Sequence, residues 1–224
     1  MADDQPLEFF YDAGSCSLAV RIVLEECGFP YQERRVTARD ADRDTLRPDW
    51  LVRNPKGRVP ALLPVAGRAG GERGLLTEVP AILTYLARLR PDLDLVPVDP
   101  AREARTLEWL NYLSGWVHSV CFAQLWRPAR FVDDPASFAS VRKKGLANLL
   151  DAFAAIEAIF ADDRAWAVPD RFTIADAFLL VFYRWGGVVD VDMTRYEGWT
   201  ASTRNACRRA SVMASFAKDG LPSL

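Results

Sequence analysis

One cysteine stands where chemistry is possible. Ser15-Cys16-Ser17 falls where a short apolar run, Leu7 to Tyr11, gives way to a stretch with helical spacing. The first N–H groups of a helix lack intrahelical partners, and the helix dipole adds partial positive charge there. Both effects stabilise a thiolate, whether that of Cys16 or that of a thiol ligand, so a cysteine in such a place has a lowered pKa and raised reactivity. Position alone fits an inert, packed cysteine equally well. Three residues further on stands Ala19, so the motif carries no resolving thiol. A reacting Cys16 must therefore pair with an external thiol and pass through a mixed disulfide.

His118 is the only histidine in the chain. Without a second one, no multi-histidine metal site can form in a single chain. His118 and Cys121, three apart on one helix, supply two ligands where a site needs more. No metal is expected. No G-x-S-x-G elbow is present, and Asn111 lies seven residues before His118, on the same helical face. A lone helical histidine is more often a packing residue, so both readings stay open. Asn54-Pro55-Lys56-Gly57-Arg58-Val59-Pro60 is turn chemistry leading into a strand. A cis Val59–Pro60 bond would turn the Val59 N–H and C=O toward a ligand; the sequence does not fix the isomer. Glu78 falls just inside a helix expected to begin at Thr77, where an acid suits the dipole, and the same N-terminus could instead receive a ligand carboxylate. The glycines at 67, 70, 71 and 74 match neither a phosphate-binding loop nor a dinucleotide fingerprint and read as loop.

The elements that must position these residues differ between the two halves. Leu7 to Tyr11 reads as a strand, Ser15 to Cys27 as a helix with Leu18, Ile22 and Val23 on its core face, and Tyr31 to Val36 as a second strand. A polar stretch, Thr37 to Pro48, leads to a short helix near Trp50. Val59 to Val65 and Gly74 to Leu76 read as a hairpin joined by the glycine-rich turn, followed by a helix capped by Thr77. A crossover helix between the first strands implies a parallel pair, and the hairpin adds antiparallel strands, giving a mixed sheet. Pro91 to Pro100 reads as a linker. Helices are expected over Ala101 to Trp126, Phe138 to Phe160, Thr173 to Val189 and Ala201 to Phe216. Thr173-Ile174-Ala175-Asp176 has capping-box spacing and is read as structural.

Composition sets outer limits. The 224 residues are 50% apolar and 26% charged, the profile of an ordinary globular protein, with 28 basic and 30 acidic residues. A net charge of -2 leaves no basic footprint for nucleic acid. Met1 to Pro6 is polar and acidic, unlike a signal peptide. The longest apolar stretch, Ile174 to Val189, is broken by Asp176, Arg184 and a glycine pair, as in a buried core helix rather than a membrane span. Four cysteines spaced far apart suggest reduced thiols and a cytoplasmic protein.

Taken in order, Gly14-Ser15-Cys16-Ser17, the segment Asn54 to Leu62, and Leu76-Thr77-Glu78 with Ile82 and Tyr85-Leu86 resemble the glutathione S-transferase family, from Leu7 to about Phe216. Cys16 with Trp109-Leu110-Asn111-Tyr112 and His118 is most similar to the bacterial beta class. The resemblance implies an α+β, thioredoxin-like domain over 1–89 with a mixed four-stranded sheet, a linker over 90–100, and an all-helical domain over 101–224 holding a second-substrate cleft. It also implies glutathione as co-substrate, a small hydrophobic electrophile, and a homodimer. Carried over by position, Cys16 would face the glutathione sulfur with Tyr11 and Ser15 nearby, and His118, with Asn111, would approach from the helical domain. Val59, before Pro60, would pair with the cysteinyl backbone; Glu78 and the Val79 N–H would hold the γ-glutamyl end, with Arg58 close by. Val79 replaces the small, often hydroxylated residue usual in the family, and Trp116 and Ser119 replace charged neighbours of the histidine. The expected activity is conjugation of glutathione sulfur to an electrophile entering near Trp116, Phe122 and Trp126, or thiol-disulfide exchange through Cys16. The alternative is a protein that binds glutathione without turnover.

Overall fold

The computed structural model describes residues 6–39, 43–63, 74–222 and 224. Two compact units emerge: Met1–Val96 together with Cys207–Leu224, and Pro97–Ala206. This division departs from the expected 1–89, 90–100 and 101–224, because the C-terminal segment packs with the N-terminal one.

The first unit is built on a four-stranded sheet in the order β2-β1-β3-β4, with β1 Leu7–Tyr11, β2 Tyr31–Arg35, β3 Ala61–Leu63 and β4 Leu76–Thr77. β1 runs parallel to β2 and antiparallel to β3, and β3 runs antiparallel to β4. The mixed sheet is therefore as expected, with shorter strands; the hairpin turn, through residue 73, lies outside the described residues. Successive side chains on β1 point to opposite faces. Phe9 and Tyr11 stack on one side, beneath the Arg21 guanidinium of α1 (Ser17–Cys27). Phe10 turns to the other side and meets Trp50 of α2 (Pro48–Arg53) at 5.2 Å between ring centroids. Sheet faces covered on both sides explain why consecutive phenylalanines are both buried. β2 is an edge strand, and its exposed Gln32-Glu33-Arg34-Arg35 is the kind of charged edge that resists pairing with another chain.

α1 packs against α3 (Val79–Leu89) and against α9 (Ala210–Asp219), the last helix of the chain. The contact with α9 is polar as well as apolar. Arg21, with a fully buried side chain, donates from Nε to Asp219 Oδ1 at 2.8 Å and from Nη1 to Glu33. Burial would lower the basicity of this guanidinium, but the carboxylates of Asp219 and Glu33 hold it above its ordinary value. Removing one partner of such a pair strands a buried charge, at about 3–5 kcal/mol. Arg209, at the N-cap of α9, pairs with Glu26, and Lys218 within α9 pairs with Glu25, adding two further ion pairs to α1.

The second unit is helical. The helix expected over Ala101 to Trp126 runs as α4 (Pro100–Tyr112), a π-helical stretch Leu113–Phe122, and α5 (Ala123–Trp126). α6 (Phe138–Ile159) and α7 (Ile174–Val188) follow as expected. The single helix expected over Ala201 to Phe216 is two, α8 (Glu197–Cys207) and α9. Phe122, Phe153, Phe182 and Trp185 meet in the core in stacked, tilted and edge-on pairs. Among the described residues no helix is long and apolar enough to cross a membrane.

α7 starts with the capping box. Thr173 Oγ1 accepts from the Ala175 N–H at 3.3 Å, and Asp176 Oδ2 accepts from the Thr173 N–H at 2.8 Å. Asp176 Oδ1 also accepts from the Ala167 N–H at 2.7 Å, so one carboxylate ties a loop to the helix start. Burial pushes the Asp176 carboxyl up to about 6, against the pull of these donors. A carboxyl whose folded pKa lies above its unfolded value near 3.9 binds more protons folded than unfolded. In denaturant titrations, the stability of the wild type relative to Asp176→Asn is expected to fall as pH rises from about 4 to 6 and to stay level above that. A relative stability that rises across this interval would show that the donors win and the carboxyl is not raised.

Candidate active site

Cys16 occupies the N-cap of α1, with helical backbone angles and no side-chain capping bond. Its side chain is buried, and its Sγ donates to the Val59 carbonyl at 3.7 Å. The Val59–Pro60 bond is cis. The thiol at the start of α1 and the backbone leading into β3 thus meet, although they are 43 residues apart in sequence.

The turn that delivers Cys16 is tightly bonded. The Ser15 N–H donates to the Asp12 carbonyl at 3.1 Å, and Ser15 Oγ lies 2.6 Å from that carbonyl. The Ser17 N–H donates to Ser15 Oγ at 3.1 Å, and the Leu18 and Ala19 N–H groups donate to the Ser15 and Cys16 carbonyls. Ser15 therefore spends its hydroxyl on the turn, and three of the first N–H groups expected to serve a thiolate are already paired. The helix dipole remains. Arg39 donates from Nη2 to the Ala13 carbonyl at 2.8 Å, bringing a cation to the same turn, a contribution sequence reasoning missed.

Tyr11 points elsewhere. Its hydroxyl donates to Glu33 Oε2 at 3.3 Å on the neighbouring strand, and its ring carries the Arg21 guanidinium at 4.3 Å. Burial and the Glu33 carboxylate raise its pKa, so it stays protonated at neutral pH.

A second corner forms at the end of β4. The helix expected from Thr77 begins at Val79; Thr77 is the last residue of β4, and Glu78 is the N-cap rather than a first-turn acid. Glu78 has φ 75° and ψ 122°, a conformation that costs a non-glycine residue about 1–3 kcal/mol and gathers at ligand sites. Val79 buries its side chain in the core, leaving its backbone at the helix start. Lys56 reaches across to Glu78 Oε1 at 2.8 Å and Thr77 Oγ1 at 2.9 Å. Both charged side chains are about half exposed, 54% and 55%, so the pair contributes at most about 1 kcal/mol and yields readily to a competing ligand. Lys56 was visible in the sequence only as part of a turn; its charge opposite Glu78 was the available signal. That turn is shaped by Asn54, whose Nδ2 donates to the Arg58 carbonyl at 2.8 Å, and by Gly57, with φ +57° and no room for a Cβ beside the Thr45 carbonyl. Arg58 itself is exposed.

The sheet joins the two corners. Ala61 pairs with Thr77, and continuing that antiparallel register sets Val59-Pro60 opposite Glu78-Val79, one strand spacing of about 5 Å away. A thiol, the backbone leading into β3, a carboxylate and a helix N-terminus therefore line one end of the sheet.

The second unit carries the remaining candidates. Asn111 is exposed and donates from Nδ2 to the Leu107 carbonyl of its own helix at 2.8 Å. His118 lies in the π-helical stretch, half-buried, with its ring 5.3 Å from that of Trp185 and 6.2 Å from that of Phe182. Of the aromatics expected to line a cleft, Phe122 is fully buried in the core, while Trp116 and Trp126 are 41% and 43% exposed. Among the described residues no group of three or more metal-ligating side chains comes together.

Comparison with known proteins bears on this arrangement. Residues 13–89 match the family model described as glutathione S-transferase, N-terminal domain. Glutathione S-transferase GstA of Escherichia coli O157:H7 is 34% identical over 218 residues, covering 96% of this chain and 100% of that one. A glutathione transferase homolog from Sulfitobacter, solved with bound glutathione, is 31% identical with a TM-score of 0.83, covering 97% of this chain and 99% of that one. A bacterial beta class glutathione S-transferase from Sphingomonas chungbukensis is 29% identical with a TM-score of 0.78, covering 96% of this chain and 100% of that one.

The cysteines separate by environment. Burial pushes the Cys27 thiol up to about 12 and the Cys121 thiol up to about 11, and neither is exposed. At pH 8 both are protonated, so a thiol-alkylating reagent on the folded protein is expected to leave them unmodified by peptide mass mapping, and to modify them only in denaturant. Modification of either at the rate of the partly exposed Cys207 would contradict these environments.

Proposed function

The chain belongs to the glutathione S-transferase family, and from that membership we propose that it binds glutathione at the end of the first unit's sheet and transfers its sulfur to a small hydrophobic electrophile. The observation that carries this reading is the meeting of Cys16 Sγ with the Val59 carbonyl, beside the Glu78 corner. A peptide laid along the strand end pairs its backbone with Val59, as an added strand does. Its cysteinyl sulfur then lies toward Cys16 and the positive end of α1, which favours the thiolate and supplies a nucleophile at neutral pH. Glu78 receives the γ-glutamyl ammonium in exchange for Lys56, and the N-terminus of α3 receives the neighbouring carboxylate. Lys56 and Arg58 supply positive charge for the glycyl end.

Cys16 itself adds a second activity at the same site. Its thiolate attacks the glutathione sulfur of a disulfide that joins glutathione to another thiol; a Cys16–S–S–glutathione bond forms, the original disulfide breaks, and the other thiolate leaves. A free glutathione thiolate then attacks the Cys16-bound glutathione sulfur, forming glutathione disulfide and releasing the Cys16 thiolate. The proposed roles of Asn111 and His118 rest on resemblance to the beta class.

Two substitutions divide the work. Cys16→Ala is expected to abolish the glutathione adduct seen by intact mass while leaving glutathione affinity within about threefold. Glu78→Ala is expected to raise KM for glutathione about tenfold, roughly 1.4 kcal/mol, with kcat little changed. An adduct persisting on Cys16→Ala removes Cys16 from the mechanism. Retention of glutathione without turnover of any aromatic electrophile would favour a pure binding protein.

A further inference from the structure

We propose that Asp219, the last residue of α9, is a positioning residue for Cys16. The proposal builds on the reading of Cys16 as the sulfur-facing residue. The two carboxylate oxygens of Asp219 have separate tasks. Oδ2 accepts from the Gly14 N–H at 2.9 Å, and Oδ1 accepts from Arg21 Nε at 2.8 Å. Gly14 lies two residues before Cys16, in the turn that leads into it, and Arg21 lies five residues after, on the helix that leads out. One buried carboxylate, 1% exposed, thus brackets the cysteine from both sides.

The turn needs an anchor of this kind. Gly14 has φ +65°, a conformation available to glycine that the chain does not otherwise favour. A Cβ there would lie 3.3 Å from Leu221 and 3.1 Å from Arg39, so the residues after α9 are packed directly on the turn. Its other side is fastened by Asp12, whose Oδ2 accepts from the Ala38 N–H at 3.1 Å and whose carbonyl takes the Ser15 N–H. Of these supports, the one from α9 comes from the far end of the sequence. Asp219 also fixes Arg21, whose guanidinium covers Tyr11 and reaches Glu33, so the turn, α1 and two strands share a single charged network. Thiol chemistry requires the attacking sulfur to line up with its target, and a displacement of about 1 Å can cost about 100-fold in rate.

The remaining polar ties between α9 and α1 provide controls. Arg209, the N-cap of α9, pairs with Glu26 at the other end of α1 from Cys16. Full-length wild type, Asp219→Ala, Asp219→Asn and Arg209→Ala are compared below their melting temperatures, with circular dichroism verifying the fold. Two rates are measured: turnover with glutathione and a generic aromatic electrophile, and alkylation by iodoacetamide mapped to the Cys16 peptide. In Asp219→Ala, kcat is expected to fall about 10- to 100-fold with KM for glutathione within about threefold, since Val59 and Glu78 still hold the tripeptide. Alkylation of Cys16 is expected to accelerate about threefold or more, because a loosened turn exposes a buried thiol. Asp219→Asn keeps the volume and folds if the alanine variant does not; its single oxygen serves Gly14 or Arg21 but not both, so both rates move in the same directions by less. Arg209→Ala is expected to lower Tm while leaving both rates within about twofold.

Unchanged or slower alkylation of Cys16 in a folded Asp219 variant overturns the proposal, and so does an equal effect of Arg209→Ala. The alkylation arm does not require glutathione. If wild type neither binds nor turns over glutathione, the proposed function fails, while the alkylation rates still decide the role of Asp219.

Discussion

A buried ion pair at the far end of the chain holds the near end in order. Arg21 and Asp219 meet at 2.8 Å with their side chains almost fully excluded from water. Charges so placed are tolerated only when paired and hydrogen-bonded, and here each has further partners: Glu33 and the Tyr11 ring for Arg21, the Gly14 N–H for Asp219. The first unit is therefore incomplete until α9 has returned to α1. That dependence places Cys207–Leu224 in the same unit as the sheet.

The site proposed on this frame divides binding from chemistry. At one corner, the backbone leading into β3 and the thiol of Cys16 meet, where the proposal sets the glutathione sulfur. At the other, Glu78, with its unusual backbone, and Lys56 offer opposite charges in an exposed pair too weak to hinder exchange with a ligand. The sheet register sets the distance between the corners. The Cys16 turn is rigid because Ser15, Ser17 and Asp12 satisfy one another locally. The same bonding leaves fewer unpaired N–H groups than a bare helix N-terminus would offer, so the dipole and the Arg39 cation supply more of the positive potential there.

Much of this was legible in the sequence where the signal is local. Alternating apolar residues placed β1, helical spacing placed α1, and the spacing of Thr173 and Asp176 gave the capping box that the structure contains. The order of motifs gave the family, which the comparisons bear out. What could not be read depends on contacts between distant segments or on backbone detail. The return of α9 to α1 joins residues 198 apart, and no periodicity announces it. The break between α8 and α9 falls at Arg208-Arg209, where a helical pattern continues in the side chains although the backbone does not. The π-helical stretch around His118 has an apolar pattern that an α-helix would share. Tyr11 matched a family position, but alternation along β1 directs its hydroxyl to Glu33, and Phe122 proved to be core.

The central claim is that glutathione lies along the end of the sheet with its sulfur beside Cys16. A crystal structure of the protein with glutathione tests it most directly. The account predicts electron density for the tripeptide with its cysteinyl backbone paired to Val59, its γ-glutamyl end at Glu78, and its sulfur in contact with Cys16 Sγ. Glutathione bound elsewhere, or bound here with its sulfur turned away from Cys16, would contradict it.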